Sequence, residues 1–359
     1  MPNNRIYYAI QQVQLGPAAG SMTAVHGLQS VGITTNFNLE QVFELGQLAI
    51  YQNVEAVPDI EVTLNKVLDG YPLVYTIATE EGSSVGTGLV ATDASIAGRQ
   101  NARCDMKLAI FSDNKIASSG NSIHAVTCSG MYVSSVSYTF PVDGNFTEDV
   151  TLVGNNKVWG GTVTGAFDNT DEPESTSGVG RRQFLSMANC RFPSQIPGIG
   201  AGGTNSALGG GSGFAAHFQN ITVSCDFGRE SINELGTFAP YHRYVTFPVE
   251  VTSEFEVVAV SGDSINATES GYYGANGQVY SGSAQCDVRK NLLDQRIFLE
   301  TCEGTRIDLG NKNKLSSVNY TGGDTGGGNV SVTYSYVTYN DFSVAHSGGD
   351  SGFYASLTP

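Results

Sequence analysis

The sequence predicts an all-β protein, mainly antiparallel, with few short helices. Three observations predict it. Apolar and β-branched residues alternate with polar ones in short runs along most of the chain, the period of a half-buried strand. Glycine is abundant, 44 of 359 residues, or about 12% against an average of about 7%, which suits tight turns. Charged residues make up only 14%, well below the usual quarter. A chain this long has room for two ordinary domains or one large β domain, and no need of the staples of a mini-protein.

The strand pattern is carried in chain order by Val31 to Phe37, Leu48 to Val54, Ile60 to Leu64, Val133 to Phe140, Glu148 to Val153, Asn220 to Phe227, Val245 to Val260, Leu315 to Tyr320 and Val330 to Tyr339. Helix signals are few. Pro72 to Thr79, after Asp69-Gly70, suits a short helix, while Asn38 to Gly46 fits either a turn or two of helix or a strand-loop-strand unit. Two Gly-rich stretches, Gly198 to Gly213 and Gly322 to Gly328, have too few side chains to pack and read as a mobile inserted loop and a hairpin tip.

The chain repeats itself at long period. With an offset of 190, Phe37, Glu40, Glu44, Leu45, Gly46, Ala49, Tyr51 and Pro58 fall on Phe227, Glu230, Glu234, Leu235, Gly236, Ala239, Tyr241 and Pro248, eight identities in 22 positions where chance gives one or two. After one gapped residue, Glu61-Val62-Thr63 falls on Glu250-Val251-Thr252. At an offset of 182, residues 133–139 fall on 315–321 with five of seven identical, and Gly144/Gly326, Val150/Val332 and Thr151/Thr333 continue the match. Tandem duplication is the expectation: a first β domain over 1–167, an acidic flexible linker over 168–180, and a second β domain over 181–359 with the insert 198–213. The alternative for the acidic segment is a long hairpin loop within one domain. The duplicated positions Phe37, Glu40, Glu44, Tyr51 and Pro58, with Phe227, Glu230, Glu234, Tyr241 and Pro248, are the candidate packing or subunit-contact residues. A carboxylate pair for acid–base work is the other reading of Glu40/Glu44 and Glu230/Glu234, and duplication favours the contact.

Eighteen Lys+Arg against 34 Asp+Glu give a net charge of −16. Seven basic and 18 acidic residues place −11 on residues 1–180, leaving −5 on the rest. Such a surface repels a phosphate backbone and excludes a nucleic-acid or anionic-lipid grip. The start, Met1-Pro2-Asn3-Asn4-Arg5, leads into an alternating segment without the apolar core of a signal peptide, and no run of about 18 apolar residues occurs, so a soluble chain made in a cytoplasm is expected. Six cysteines without a C-x-x-C pair are expected as buried reduced thiols.

Enzyme motifs are few and each lacks its context. Gly349-Asp350-Ser351-Gly352, with His346, matches the local sequence around the nucleophile of chymotrypsin-like proteases, but only seven residues follow it. Gly82-Ser83-Ser84-Val85-Gly86 satisfies the nucleophile-elbow pattern without the strand and helix that an elbow needs. The histidines His26, His124, His217, His242 and His346 are scattered, and Asp168, Asp171, Glu172 and Glu174 lack calcium-loop spacing. Gly322 to Gly328 lacks the Lys-Ser/Thr of a phosphate cradle. No catalytic residue, metal or cofactor is therefore expected.

Ser30 to Tyr51 followed by Val57 to Leu73 resembles virion structural proteins of tailed bacteriophages, and Phe140 to Asn155 is similar to the late strands of phage tail tube proteins. The resemblance implies tube-like β-barrel or sandwich domains, here two in tandem, in a virion tail subunit made in the host cytoplasm. One-domain relatives form hexameric rings, so two domains imply a trimeric, pseudo-hexameric ring stacked into a conduit for genome ejection. The implied partners are further copies of the chain, other tail proteins (baseplate, terminator, possibly a sheath), and DNA passing through the lumen without specific binding. No membrane binding is implied. Chain length and the insert keep open a baseplate hub, a distal tail protein, or a head or decoration protein. A secreted adhesive or carbohydrate-binding β protein is the rival from another class.

Overall fold

The computed structural model describes residues 5–79, 94–96, 101–112, 117, 120–165, 178–199, 203, 216–259, 294–322 and 328–346. The first half contains β1 (Gln11–Pro17), β2 (Thr23–Ala24), β3 (Leu28–Asn36), β4 (Leu39–Phe43), β5 (Ile50–Glu55), β6 (Asp59–Val67), helix α1 (Val74–Thr79), β7 (Ala94–Ser95), β8 (Cys104–Ile110), β9 (His124–Pro141), β10 (Thr147–Gly154) and β11 (Asn156–Trp159). The second half contains β12 (Phe218–Asp226), β13 (Glu230–Ile232), β14 (His242–Tyr244), β15 (Glu250–Val258), β16 (Phe298–Glu300), β17 (Thr305–Asp308), β18 (Lys314–Thr321), β19 (Ser331–Tyr339) and β20 (Ser343–His346). Every strand pairing among them is antiparallel. The fold is thus all-β, with α1 and two 3₁₀ turns, Tyr8–Ile10 and Arg182–Phe184.

Eight strands form the backbone of the molecule, in the order β3-β6-β10-β9-β12-β15-β19-β18. One face of this sheet is built from the in-phase apolar residues, Ile60, Val62 and Leu64 on β6, Val150 and Leu152 on β10, Val223 and Cys225 on β12, and Phe255 and Val257 on β15, all buried in one cluster that spans both halves. Strand β9 is 18 residues long because it serves two sheets. Its first part pairs β8 and β11, and its second pairs β10 and β12. The change comes around Gly130, whose positive φ of 65 only glycine adopts freely and whose N–H donates to Asp105 at 2.8 Å. A four-stranded sheet, β16-β17-β20-β7, joins the first half to the second through β7 and β20.

The eight-strand order divides into two runs of four that match residue for residue. In the first, Ile33 pairs Val62, Leu64 pairs Val150 and Val150 pairs Val136. In the second, Val223 pairs Ser253, Phe255 pairs Tyr334 and Tyr334 pairs Val318. The bulges coincide as well. The register slips past Gln29 between β3 and β6 and past Gln219 between β12 and β15. It slips past Ser134 between β9 and β10 and past Ser316 between β18 and β19. Bulges are specified features of a fold, so shared positions mark the runs as equivalent.

The register corrects the sequence alignment at two strands. Val62 stands where Ser253 stands, not Val251, and Val150 stands where Tyr334 stands, not Val332. Both slips are of two residues, which preserves the face of every side chain and so leaves the alternation unchanged. Residues 245–249, expected within a strand, lie outside β15. Asn38 to Gly46 takes the strand-loop-strand form, and the short helix expected after Pro72 is α1. Gly180, the end of the expected flexible linker, is buried, accepting from the Phe146 N–H at 2.8 Å and donating to Leu68 at 2.7 Å. Residues 168–177 lie outside the described residues, as do Cys286, most of 198–213, 323–327, Ser84 and Ser351. Cys104, Cys128, Cys190 and Cys225 are buried free thiols, whereas Cys302 is exposed at the turn after β16.

Candidate assembly surface

The second face of the eight-stranded sheet is mostly polar, with Val153, Val337 and Tyr339 among its few apolar positions. Alternation and register bring Asp59, Glu61, Asp149, Asp226, Glu250, Glu254 and Glu256 to it, seven carboxylates, set among Ser and Thr such as Ser135, Ser137, Thr222 and Thr333. Side chains cross-link along the face: Asn65 donates to Asp149 at 2.6 Å, the hydroxyls of Ser224 and Thr252 stand 2.7 Å apart, and Ser335 donates to Glu254 at 3.4 Å. The eight strands place one cation on this face, Lys314 at the start of β18, and it pairs with Asp294 at 2.8 Å. Arg243 reaches in from β14 to Asp59. Burial alone would raise the Asp59 carboxyl, but hydrogen bonds from Asn38 and Arg243 and the Arg243 charge hold it below its ordinary value.

Two hairpins leave the sheet at equivalent places. In β4-β5 Glu40 pairs Val54 and Val42 pairs Gln52. In β13-β14 Glu230 pairs Tyr244 and Ile232 pairs His242, the same register 190 residues on. Each tip turns at a glycine with positive φ, Gly46 at 97 and Gly236 at 90, which explains their identity in both copies. Of the 22 exposed large hydrophobic residues among those described, nine lie in Phe37–Val54 and six in Ile232–Phe247. Apolar exposure this concentrated makes the two hairpins a candidate contact surface. Leu45 and Leu235 at the tips are fully exposed, and Tyr51 and Tyr241 are alike at 63% and 62%.

No family model matches the chain, and no curated protein matches it. A solved cryo-EM structure, the anti-feeding prophage cap described as a tube terminating cap, is similar over 45% of this chain and 93% of that chain, at 12% identity and a TM-score of 0.30. A score of that size carries no argument.

The ten duplicated positions therefore fall into three settings. Glu40, Glu44 and Tyr51, with Glu230, Glu234 and Tyr241, are exposed on the hairpins. Pro58 is half-buried and its carbonyl accepts from Asn155 at 2.8 Å, whereas Pro248 is exposed. Phe37 and Phe227 follow β3 and β12 at matching places, yet Phe37 is 64% exposed and Phe227 only 2%. Phe227 lies against Tyr75 of α1, with ring centroids 6.1 Å apart, and against the Arg229 guanidinium.

A buried polar cluster went unread in the sequence. Lys66 is in phase with Ile60, Val62 and Leu64, so it points into the core, where it pairs with Asp69 and donates to the Val67 carbonyl at 3.0 Å. Glu148 caps α1, accepting from the N–H groups of Val74 at 2.7 Å and Tyr75 at 3.1 Å and from the Tyr138 hydroxyl at 3.0 Å. Burial pushes the Glu148 carboxyl up, against the pull of those N–H groups and of Lys66. His346 donates through Nε2 to the Gly70 carbonyl at 2.7 Å, and burial lowers its pKa to about 4. The in-phase lysine was the available signal. With each acid engaged in capping or ion pairing inside a packed core, these groups fix structure.

Proposed function

We propose that the chain is a structural subunit of a bacteriophage tail tube, self-assembling into stacked rings that enclose a conduit for genome passage. The observation that carries this reading is the polar face of the eight-stranded sheet. A wall over which a polyanion must slide needs hydrogen-bonding groups that keep it wetted and negative charge that prevents adhesion, and each unpaired Lys or Arg would add a salt-dependent phosphate contact. Seven carboxylates and a single, ion-paired lysine meet that requirement across eight strands. The apolar hairpins suit the contact between successive rings, because each chain presents the same contact twice. Six four-stranded runs to a ring correspond to three chains.

Electron microscopy of the purified protein over a concentration series tests the reading. Hollow stacked rings with threefold averages are expected. Monodisperse monomers at high concentration overturn it. Closed rings that never stack favour a hub or distal tail role, in which the hairpins meet another tail protein instead of a second ring.

A further inference from the structure

The geometry points to a specific strand pairing between chains: we infer that β18 of one copy adds to β3 of the next, antiparallel, in the register that β9 and β12 already show inside the chain. The inference rests on the tube reading and names its partner, a second copy of this chain. Three observations support it. First, β3 and β18 are the two ends of the eight-strand order, and among the described residues neither has a strand on its outer side. Such edges are templates for pairing.

Second, the ends are equivalent to the strands that meet at the centre. The run β3-β6-β10-β9 is followed by β12-β15-β19-β18, so β18 is to β3 of a neighbour what β9 is to β12. The central junction pairs Ser224 with Ser137, Val223 with Tyr138 and Cys225 with Val136. Carried through the two repeat offsets, these become Thr34 with Asn319, Ile33 with Tyr320 and Thr35 with Val318. This is a head-to-tail contact between different surfaces, the kind that closes rings.

Third, burial differs between the two junctions in the direction the pairing requires. Tyr138 is 0% exposed and its counterpart Tyr320 is 52% exposed; Phe227 is 2% exposed and Phe37 is 64% exposed. At the central junction the Phe227 N–H donates to the Ser134 carbonyl at 2.9 Å. The corresponding bond would run from Phe37 to Ser316 of the neighbouring copy. The side chains left open at the chain's ends are thus those that the paired junction covers.

Disulfide trapping tests the register. Single variants Thr34→Cys and Asn319→Cys, each also carrying Cys286→Ser and Cys302→Ser, are mixed, oxidised with copper phenanthroline and resolved by mass. Both altered positions are exposed or at the sheet edge, so the fold is retained. The expected product is the mixed dimer, several-fold above that from Thr34→Cys with Thr321→Cys, because a two-residue shift along the strand carries the Cα atoms beyond about 7 Å. Homodimers of either variant alone would mean that like edges pair and would overturn the inference. Rings seen by microscopy that trap no better at 319 than at 321 would overturn the register and leave the tube reading standing. Absence of both rings and cross-links would overturn both.

Discussion

The sharpest consequence of the repeat is that one substitution, made at equivalent places, should produce two unrelated defects. Phe227→Ala removes a ring that is 2% exposed and stacked near Tyr75, so it opens a cavity in the monomer core and should cost about 3–5 kcal/mol of folding stability. Phe37→Ala removes a ring that is 64% exposed, so the monomer loses little. On assembly that ring would go from 64% to about 2% exposure; with about 200 Å² for a phenylalanine, some 120 Å² leaves water, worth about 3 kcal/mol at 25 cal/mol per Å². Each 1.4 kcal/mol is tenfold, so half-assembly should need roughly 100-fold more protein. Urea unfolding of dilute monomer and sedimentation velocity over a concentration series read the two effects separately. A Phe37→Ala protein that unfolds as readily as Phe227→Ala, or that assembles at the wild-type concentration, refutes the equivalence on which the pairing rests.

Four further outcomes are expected. Leu45→Asp with Leu235→Asp places charge on both exposed tips, and single rings should persist while stacks disappear from micrographs. Glu148→Ala leaves the Val74 and Tyr75 N–H groups and the Tyr138 hydroxyl without their acceptor and Lys66 with less neighbouring negative charge, a loss of about 3–5 kcal/mol in urea midpoints; a change under about 1 kcal/mol would show that the helix needs no cap. His346, lowered from 6.5 to about 4, contributes stability that is present above pH 6.5 and lost as pH falls through 4, up to roughly 3 kcal/mol. Glu148 and Glu303, both raised chiefly by burial, act with the opposite sign, so the readout is the difference: wild type should lose more stability than His346→Gln between pH 7 and pH 4. Glu61→Lys with Glu254→Lys should create a DNA contact on the polar face, with a log K versus log salt slope of about −0.9 for each lysine engaged; binding without salt dependence would point to another surface.

Much of the fold was legible because alternation and repetition are local signals. Phe37 to Pro58 matched Phe227 to Pro248 without a gap, and the hairpins there are in identical register. Strands β1 and β8 escaped notice because Gln11-Gln12-Val13-Gln14 and Cys104-Asp105-Met106-Lys107 lack β-branched enrichment, their burial being set by packing against β9 and α1. The candidate contact residues were found as duplicated identities, but their exposure was not readable from identity. Phe37 and Phe227 are the same residue in the same repeat position, and what packs on each, Tyr75 of α1 and Arg229 in the case of Phe227, decides which is covered. A strand edge is hard to read from a single sequence, since the same alternation serves a strand at the end of a sheet or within it.

The central junction and the two open edges have also diverged, in a way that the proposed assembly would explain. At the central junction the core-facing pairs include Cys225 with Val136, and Arg229 closes it by donating to the Val133 carbonyl at 2.7 Å while lying over the Tyr132 ring. The equivalent positions at the open edges are Thr35 with Val318, and Leu39 in place of Arg229. A junction inside one chain forms with the fold, at an effective concentration set by the chain itself, and can be fully apolar. An edge that must remain in water until a partner arrives carries a penalty for every apolar group it displays, and indiscriminate pairing is its hazard. At the β3 edge Thr35, whose hydroxyl accepts from Lys157, and the exposed Asn36 replace apolar groups, while Ile33 and Tyr320 retain apolar surface that would favour the correct neighbour. In the proposed ring, duplication would make half of the junctions permanent and leave selection to act on the other half as a reversible contact.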